Sequence, residues 1–473
     1  MDNKGGCKLN RKIENRYLFI ALMVGAFLLF FIAQMLFGKT YDEFIYDLEE
    51  YQRFGDSIFQ TGDFSFLHMQ TDFRGWLYPF IMGITHKVLG GIISLRIVLS
   101  LLYSLSFVYL SFSFSGMMYK NLNTKHVVVL LTGFLVTTFV FFRGLIFYPL
   151  TDLPAACCCV LGACFINSSL NANKRMLKLV YSLCAGGFGY AAYNIRSIYL
   201  FSLVLFFLLL ICREIRFKHI LDMLGEGFMY LAGTVIVAVP QIFINYKWYE
   251  KFSVFINNRN LYANQLFWGL QYTRYETYIG EQDIAKTTAG LRYMNDVGTK
   301  LLDYYYRNGY REQMVTDYLE LAVTFPLDFL KIVIEHVITI LTPLYPEVFI
   351  SNLHQNKVLL VVLSTFLFFW ACLVVLYLIN KKCFWVQIWC LSLLIPAVVI
   401  VLGALETRFG LLLNIIISML TFGTILLNDF KNWIQNRNKI ILGIAFFSIM
   451  FISLWVNNRI LGQLSGMPIS IWG

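Results

Sequence analysis

The chain has 473 residues; 58% are hydrophobic, only 14% are charged, and the formal net charge is +10. A soluble domain of average composition carries about a quarter charged residues, so this composition excludes an ordinary soluble protein. Apolar stretches long enough to span a bilayer recur along the whole sequence. The sequence therefore predicts an all-α polytopic membrane protein, folded as a single transmembrane domain over residues 1–473.

Eleven apolar stretches are expected to be transmembrane helices, because a spanning helix needs about 20 mostly apolar residues. The first stretch is too long for the apolar core of a signal sequence, and no small-residue cleavage site follows it, so we expect it to be retained. The predicted spans cover residues 17–37, 92–117, 127–147, 150–169, 179–195, 198–212, 227–246, 358–379, 384–403, 409–427 and 439–456.

The loops between alternate spans are basic, and this pattern predicts how the chain crosses the membrane. Lys and Arg concentrate in cytoplasmic loops, so the basic loops and the N-terminus are assigned to the cytoplasm. An odd number of spans then places the C-terminus outside. The positive net charge therefore indicates orientation, not a nucleic-acid partner. The basic residues are Lys4, Lys8, Arg11, Lys12, Arg16, Lys120, Lys125, Lys174, Arg175, Lys178, Arg213, Arg216, Lys218, Lys381, Lys382, Lys431, Arg437 and Lys439.

Two segments on the predicted outer side are too long to be simple turns. They are residues 38–91, the first outer loop, and residues 247–357, the fourth outer loop. Both contain amphipathic helical patterns, and one of these, residues 317–341, is interrupted by Pro326. Such helices are expected to lie on the membrane surface.

Five acids lie close together at the start of the first outer loop, and the helical pattern separates one of them from the rest. Thr40 and Glu43 form the pattern of a capping box, which predicts a helix that continues to about Phe59. Asp47 falls on the apolar face of this helix, between Phe54 and Ile58. That face consists of Phe44, Leu48, Tyr51, Gly55, Ile58 and Phe59.

A carboxylate on an apolar face is unfavourable unless it has a partner. Loss of water disfavours its charged form, so the pKa of Asp47 is predicted to be raised. A raised pKa suits a general base. The other four acids of this group, Asp42, Glu43, Glu49 and Glu50, are explained as helix caps or as a solvated face, and Asp56 further along the helix belongs to the same solvated face.

The next stretch, TDFRGWLYPFIMGI, leads into an apolar helix, and its Trp, Tyr and Arg are also typical of an interfacial anchor. Together the two stretches resemble the first outer loop of the GT-C superfamily of glycosyltransferases, which includes protein O-mannosyltransferases and bacterial aminoarabinose and envelope-sugar transferases. The matching residues are Asp47, Tyr51, TGDFS at residues 61–65 and RGWLYP at residues 74–79. Residues 75–77 depart from the superfamily, which often has Pro and Gly there.

Further phrases resemble the superfamily in the same order along most of the chain. They are FYPLTDLPA with Asp152, AAYNIRSIYLFSLVL with Arg196, VPQIFINYKWYEKF with Pro240 and Asn245, AVTFPLDFLKIVIEHV, and LETRFGLLL with Glu406 and Arg408. The resemblance implies transfer of a sugar from a polyprenyl-phosphate carrier to an extracytoplasmic acceptor, which is an envelope glycan, a lipid or a protein. It also implies a multi-pass protein of the plasma membrane, the inner membrane in bacteria, with its active site on the outer face.

The resemblance and the side-chain chemistry suggest a role for each candidate residue. Asp47 is the candidate general base. Asp152 is the second acid, which orients the acceptor or shares a metal; the alternative is that it lies at the start of a helix, with Thr151 or Asp152 as the N-cap. Asp42 is a third candidate acid. The lipid phosphate favours arginine, whose planar guanidinium binds oxyanions at two points. The candidates for the donor site are Arg74, Arg196, Arg408, Tyr51, Tyr78 and Glu406.

Some of these residues also have structural explanations. Arg196 and Arg408 lie at helix ends, where an arginine is either functional or extends to the membrane interface. Glu406 is expected to pair with Arg408 and hold it in place. The sequence has no CxxC pair and no ligand spacing among its six histidines, so it leaves a divalent metal open.

Two other functions compete with a glycosyltransferase. A secondary transporter or flippase usually has repeated halves and polar breaks near mid-membrane, and neither is evident in this sequence. A polymerase or ligase of lipid-linked glycans would share the outward site, but it does not require the early aspartate. A membrane scaffold without enzymatic activity leaves Asp47 unexplained.

Overall fold

A computed structural model describes residues 4–59, 64–69, 74–118, 124–216, 220–257, 261–279, 290–309, 313–382 and 384–464. Residues 61–63 of the TGDFS phrase and the basic residues Lys120 and Lys218 lie outside the described residues. The described part of the chain is mostly helical. Its helices are α1 (Lys4–Phe37), α2 (Asp47–Ile58), α3 (Leu77–Lys87), α4 (Ile92–Met118), α5 (Thr124–Phe141), α6 (Arg143–Phe147), α7 (Asp152–Asn171), α8 (Arg175–Ile195), α9 (Leu200–Arg216), α10 (Ile220–Tyr249), α11 (Leu261–Gln271), α12 (Asp296–Arg307), α13 (Val315–Thr324), α14 (Pro326–Leu341), α15 (Val358–Asn380), α16 (Phe384–Ile400), α17 (Leu411–Thr424), α18 (Asn428–Gln435) and α19 (Lys439–Gly462).

Eight of the described helices are long and apolar enough to cross a membrane. A helix satisfies its own backbone hydrogen bonds, which is what a segment surrounded by lipid requires. The chain is therefore an all-α membrane protein in its main architecture. The candidate spans are Arg16–Phe37, Ile92–Met118, Thr124–Phe141, Asp152–Asn171, Ile220–Tyr249, Val358–Asn380, Thr407–Thr424 and Lys439–Gly462.

The other three predicted spans are also helical, but they are shorter or less apolar. The apolar parts of α9 and α16 are Ser197–Cys212 and Val386–Ile400, each under 18 residues. Helix α8 has 21 residues, and its C-terminal half contains Gly, Ala, Tyr and Asn in place of large aliphatic residues. The number of eleven spans therefore stays a prediction.

The predicted span over residues 127–147 is two helices, because α5 ends at Phe141 and α6 follows it. Phe142 leaves the helical conformation, with φ −139° and ψ 25°. The N–H of Gly144 then donates to the carbonyl of Pro346 at 2.8 Å. A contact with the fourth outer loop therefore replaces the next turn of α5.

Helix α8 packs against both α7 and α10, and small residues allow α8 and α10 to approach closely. Most side chains of α7 are buried, whereas few are in Arg16–Phe37 of α1 or in α19. A Cβ atom at Gly186 would collide with the carbonyl of Tyr230, and one at Gly233 would collide with the carbonyl of Leu183. Glycine at these positions lets the helix backbones touch, as is common between helices in membranes.

The chain direction places both long outer loops at one end of the bundle. Asp152 at the start of α7 pairs with Arg196 after α8, and Leu464 after α19 pairs with Tyr293 of the fourth outer loop. The connections after α7, α15 and α17, which carry basic residues, lie at the other end of those helices. The long outer loops and the basic connections therefore lie at opposite ends of the bundle, as the predicted topology requires. The orientation of the bundle in the membrane stays a prediction.

The predicted helix from Thr40 to Phe59 is interrupted, which corrects the sequence-based expectation. Thr40 N donates to Glu43 Oε2 at 2.9 Å, as in a capping box, but only a 3₁₀ turn over Tyr41–Glu43 follows. The Tyr148 hydroxyl accepts from the N–H of Ile45 and donates to its carbonyl at 3.0 Å, and Tyr46 then leaves the helical conformation with φ 53° and ψ −129°. Helix α2 consequently begins at Asp47.

The fourth outer loop contains helices α11–α14 and a small sheet that the sequence analysis did not predict. The sheet has the order β2-β1-β3, with β1 (Tyr272–Tyr278) antiparallel to β2 (Gly290–Met294) and parallel to β3 (Phe349–Ile350). The predicted interruption at Pro326 is present, since α13 ends at Thr324 and Pro326 is the first residue of α14.

Candidate active site

Six of the nine predicted site residues converge at the end of the bundle that carries the outer loops. They come from five places far apart in the sequence, and Glu50 of α2 joins them. We call these seven residues the arginine–carboxylate cluster. The predicted members are Asp47 at the start of α2, Arg74 before α3, Asp152 at the start of α7, Arg196 after α8, and Glu406 and Arg408 before α17.

Arg408 lies at the centre of the cluster, and its side chain is only 13% exposed. Its Nε is 2.7 Å from Glu406 Oε2, and its Nη2 donates to Glu406 Oε1 at 3.0 Å. The Nη2 contact is a charge-assisted hydrogen bond, whereas the short Nε contact is an ion pair without hydrogen-bond geometry. Asp47 Oδ2 lies 3.8 Å from Nη2, and Asp152 Oδ2 lies 3.9 Å from Nε. One cation is therefore surrounded by three carboxylates.

Arg74 links the first outer loop to the cluster. Its Nη2 is 2.9 Å from Asp47 Oδ1 and 2.6 Å from Glu50 Oε2, and its Nη1 donates to the Asp47 carbonyl at 3.3 Å. The guanidinium lies over the ring of Tyr51, 4.6 Å from its centroid. Charge pairing and cation–π contact together fix the direction of this side chain.

The pKa of Asp47 is lowered, so the prediction of a raised pKa is wrong. Burial alone would raise this pKa. The positive charges of Arg408 and Arg74, with a smaller contribution from Arg196, outweigh burial and hold it below its usual value. The side chain is also 48% exposed, because Asp47 opens α2 and does not lie within a longer helix. The helical pattern of one segment cannot predict that arginines from other parts of the chain contact Asp47.

Asp152 and Arg196 form the buried half of the cluster. Arg196 Nη1 donates to Asp152 Oδ1, and Asp152 is only 4% exposed. Asp152 Oδ2 is buried and accepts no hydrogen bond from the described residues. Thr151 occupies the N-cap position, one of the two predicted alternatives, and Asp152 is the first residue of α7. Phe409 packs under both nearby arginines, 4.3 Å from Arg196 and 5.5 Å from Arg408.

Tyr51 and Tyr78 lie beneath the cluster. Their rings meet edge to face with centroids 5.5 Å apart, and both side chains are buried. Burial raises the pKa of both phenols, so they stay neutral. The Tyr78 hydroxyl donates to the carbonyl of Pro149, just before Asp152. Tyr78 therefore supports the chain that presents Asp152.

Gly75 allows a close contact between the first outer loop and α8. A Cβ atom there would collide with the carbonyl of Asn194 at the end of α8. The side chain of Asn194 accepts from Leu77 N at 2.8 Å and donates to Gln241 Oε1 at 3.1 Å. Glycine thus lets the first outer loop lie directly on α8, and this contact places Arg74 next to the cluster.

Asp42 is not part of the cluster. It lies in the 3₁₀ turn, is exposed and takes no part in the ion pairs described above. Glu50 was assigned to a solvated face, and its side chain is 47% exposed, but it also pairs with Arg74, which the assignment did not predict. The signal for Glu50 was its spacing, since residues three apart on a helix are neighbours and Glu50 follows Asp47 by three.

Every carboxylate of the cluster faces a guanidinium group. Among the described residues no group of three His, Cys, Asp or Glu side chains is placed to hold a metal ion. Comparison with protein-family models, with curated proteins and with solved structures finds no match to this chain. The chemistry of the cluster is therefore argued from its own residues.

Proposed function

We propose that this chain is a GT-C-type glycosyltransferase, which moves a sugar from a polyprenyl-phosphate donor to an extracytoplasmic acceptor. The observation that supports it is the convergence of three arginines and four carboxylates at one end of an apolar helical bundle. Asp152, Glu406 and Arg408 are at most 14% exposed, and buried charges in membrane proteins are by default functional. A lipid-linked anion would reach this end from the bilayer.

The arginines suit a phosphate leaving group. A guanidinium binds phosphate oxygens at two points and keeps its charge at any working pH. Arg408 is the first candidate, because it is central and its contacts with Asp47 and Asp152 are longer than hydrogen bonds. Arg74 and Arg196 lie on either side of it. Negative charge that develops on the departing phosphate would be stabilised by groups already in place.

The lowered pKa of Asp47 fits a base that the donor activates. A bound phosphate would compete with Asp47 for the positive charge of Arg408 and Arg74. The pKa of Asp47 would then rise towards its ordinary value, which strengthens it as a base. Asp47 would accept the proton of the acceptor hydroxyl as the new glycosidic bond forms and the sugar–phosphate bond breaks. Asp152, through Oδ2, would orient the acceptor.

The position of the cluster favours an enzyme over a transporter. Transporters bind their substrates near the bilayer midplane, often where helices are broken. Here the charged residues gather at the helix ends, between the outer loops and the starts of α7 and α17. A site at that level suits the transfer of a group to an acceptor outside the membrane.

The test is transfer by the full-length protein in nanodiscs. A panel of polyprenyl phosphates that carry radiolabelled sugars is supplied with an envelope extract as acceptor, and release of free polyprenyl phosphate is measured. We expect Asp47→Asn to lower kcat by about 100-fold to 10,000-fold, the usual contribution of a general base. Glu49→Gln, on the exposed face of α2, is the matched control and should keep wild-type activity.

Two results would contradict the proposal. Full activity in Asp47→Asn, with an unchanged melting temperature, would exclude Asp47 as the base. Movement of labelled lipid across sealed vesicles without release of polyprenyl phosphate would instead identify a transporter.

A further inference from the structure

The chain from Val401 to Thr407 leads directly to Arg408. The fourth outer loop makes hydrogen bonds to several residues of this stretch. The contacts run from the loop's helices and from β1 to the main chain of this stretch. They are His336 Nδ1 to the Val401 carbonyl (2.7 Å), the Tyr318 hydroxyl to the Leu402 carbonyl (2.7 Å), Ala404 N to the Gln265 carbonyl (3.0 Å) and Tyr275 N to the Leu405 carbonyl (2.8 Å).

Glu276 of β1 makes a further contact with this stretch, at Thr407. Its Oε1 accepts from Thr407 N at 3.0 Å, and the Thr407 hydroxyl also donates to it. The Glu276 side chain is buried, and the nearest charged group is Arg274, whose Nε lies 3.8 Å from Oε1. Residues two apart on a strand share a face, so the spacing in YTRYETY brings these two charges together.

A buried carboxylate is unfavourable unless it is paired with a cation and accepts hydrogen bonds. Burial raises the pKa of Glu276 to about 7, although the charge of Arg274 opposes this shift. Replacement by an apolar residue would remove that penalty and also both contacts with Thr407. The contacts with Thr407 are therefore the interactions that a carboxylate provides at this position and an apolar residue would not.

We propose that Glu276 is a positioning residue: it fixes Thr407, and through Thr407 it holds Glu406 and Arg408 in the arginine–carboxylate cluster. Thr407 lies between these two residues in sequence, so its backbone sets where both side chains begin. The role in catalysis rests on the proposed function. The placement of Arg408 does not, and it can be measured without a substrate.

The first test is arginine modification of the purified full-length protein. Phenylglyoxal reacts with accessible guanidinium groups, and mass spectrometry gives the rate at Arg408 relative to the exposed Arg53. Glu276→Ala removes the acceptor, and Arg408 should then react about tenfold faster, which is the scale of a lost hydrogen bond to a charged group. Glu276→Gln keeps an acceptor oxygen and should react at nearly the wild-type rate.

Two further variants separate positioning from general loosening of the loop. Thr407→Val keeps the N–H but loses the hydroxyl, so Arg408 should react at an intermediate rate. Glu335→Ala removes another buried carboxylate of the same loop, which contacts Asn295 and Arg459 and not Thr407. The Arg408 rate should not change in this control.

The second test is transfer activity. Glu276→Ala should lower kcat about tenfold, and Glu276→Gln should restore it, because only the acceptor for Thr407 matters. A wild-type Arg408 rate in Glu276→Ala would overturn the positioning role whether or not the chain transfers sugar. An equal rise in Glu335→Ala would overturn it as well. Failure of the wild-type protein to transfer any sugar would contradict only the proposed function, since the modification rates would still decide the placement of Arg408.

Discussion

The carboxylate of Asp47 shows how far the charge of a side chain depends on partners that are distant in sequence. Its position on a helical face suggested loss of water and a raised pKa. In the folded chain Arg74, 27 residues away, contacts one oxygen, and Arg408 approaches the other. Two nearby cations stabilise the ionised form more than partial burial destabilises it.

Arg408 is the residue whose removal should affect stability most strongly. Arg408→Ala would leave Glu406 and Asp152 without their shared cation in a buried site. Loss of one partner of a buried ion pair typically costs about 3–5 kcal/mol. We therefore expect a drop of this size in the free energy of unfolding, measured by SDS titration of the purified protein.

An exposed ion pair supplies the control for that measurement. Lys381 Nζ lies 3.4 Å from Asp429 Oδ2, and both side chains are exposed. Surface pairs contribute about 0–1 kcal/mol, so Lys381→Ala should change the free energy of unfolding little. Equal losses in Arg408→Ala and Lys381→Ala would contradict the central role of Arg408 in the cluster.

At the scale of an element, α13 and α14 expose a continuous apolar row despite the break at Pro326. Val323 and Leu327 are 81% and 80% exposed, and Leu330 and Ile334 follow at helical spacing. The opposite face of α14 is buried and packs against β1 and the turn that carries Arg408. An amphipathic helix with this pattern is typical of one that lies at a membrane surface.

We expect the apolar row to contact lipid. A photoreactive diazirine side chain introduced at position 327 should crosslink to phospholipid when the protein is reconstituted in vesicles. The same side chain at position 303, which lies on the exposed polar face of α12, should not. Equal crosslinking at both positions would argue that α14 lies away from the bilayer.

The composition of strand β1 favours a strand, but the hydropathy pattern did not predict one there. Its sequence, YTRYETY, is rich in Tyr and Thr, and such residues favour strands. The apolar stretches around it favour helices, and a single short strand is not stable without a partner strand. The partner β2 is formed by residues 290–294, and the intervening residues 280–289 lie outside the described part of the chain.

For the whole molecule, the predicted topology makes a direct claim about which lysines face the outside. Lys300 of the fourth outer loop should react in intact cells with an amine reagent that cannot cross membranes. Lys174 and Lys381, in the connections after α7 and α15, should react only after the membrane is permeabilised. Mass spectrometry of the labelled protein gives all three results at once. Labelling of Lys381 in intact cells would show that the number or direction of the spans is wrong.

The sequence by itself determined the class of fold, because hydropathy and helix length are local properties. Eight of the eleven predicted spans correspond to helices of sufficient length and apolarity. The break at Pro326 was also predictable, since proline has no N–H and is accepted at the first turn of a helix. The same holds for the buried face of α2, where Leu48, Tyr51 and Ile58 are buried as the pattern indicated.

Only the tertiary structure decided which charges meet. Asp47 and Glu50 are neighbours on α2, but Arg74 and Arg408 approach them from separate elements, and Arg196 pairs with Asp152. The contacts among these charged residues depend on the close approach of Gly75 to Asn194 and on the hydrogen bond from Thr407 N to Glu276. Hydropathy fixes where a helix forms, whereas electrostatic pairing depends on distances across the fold, and those distances reversed the pKa shift of Asp47.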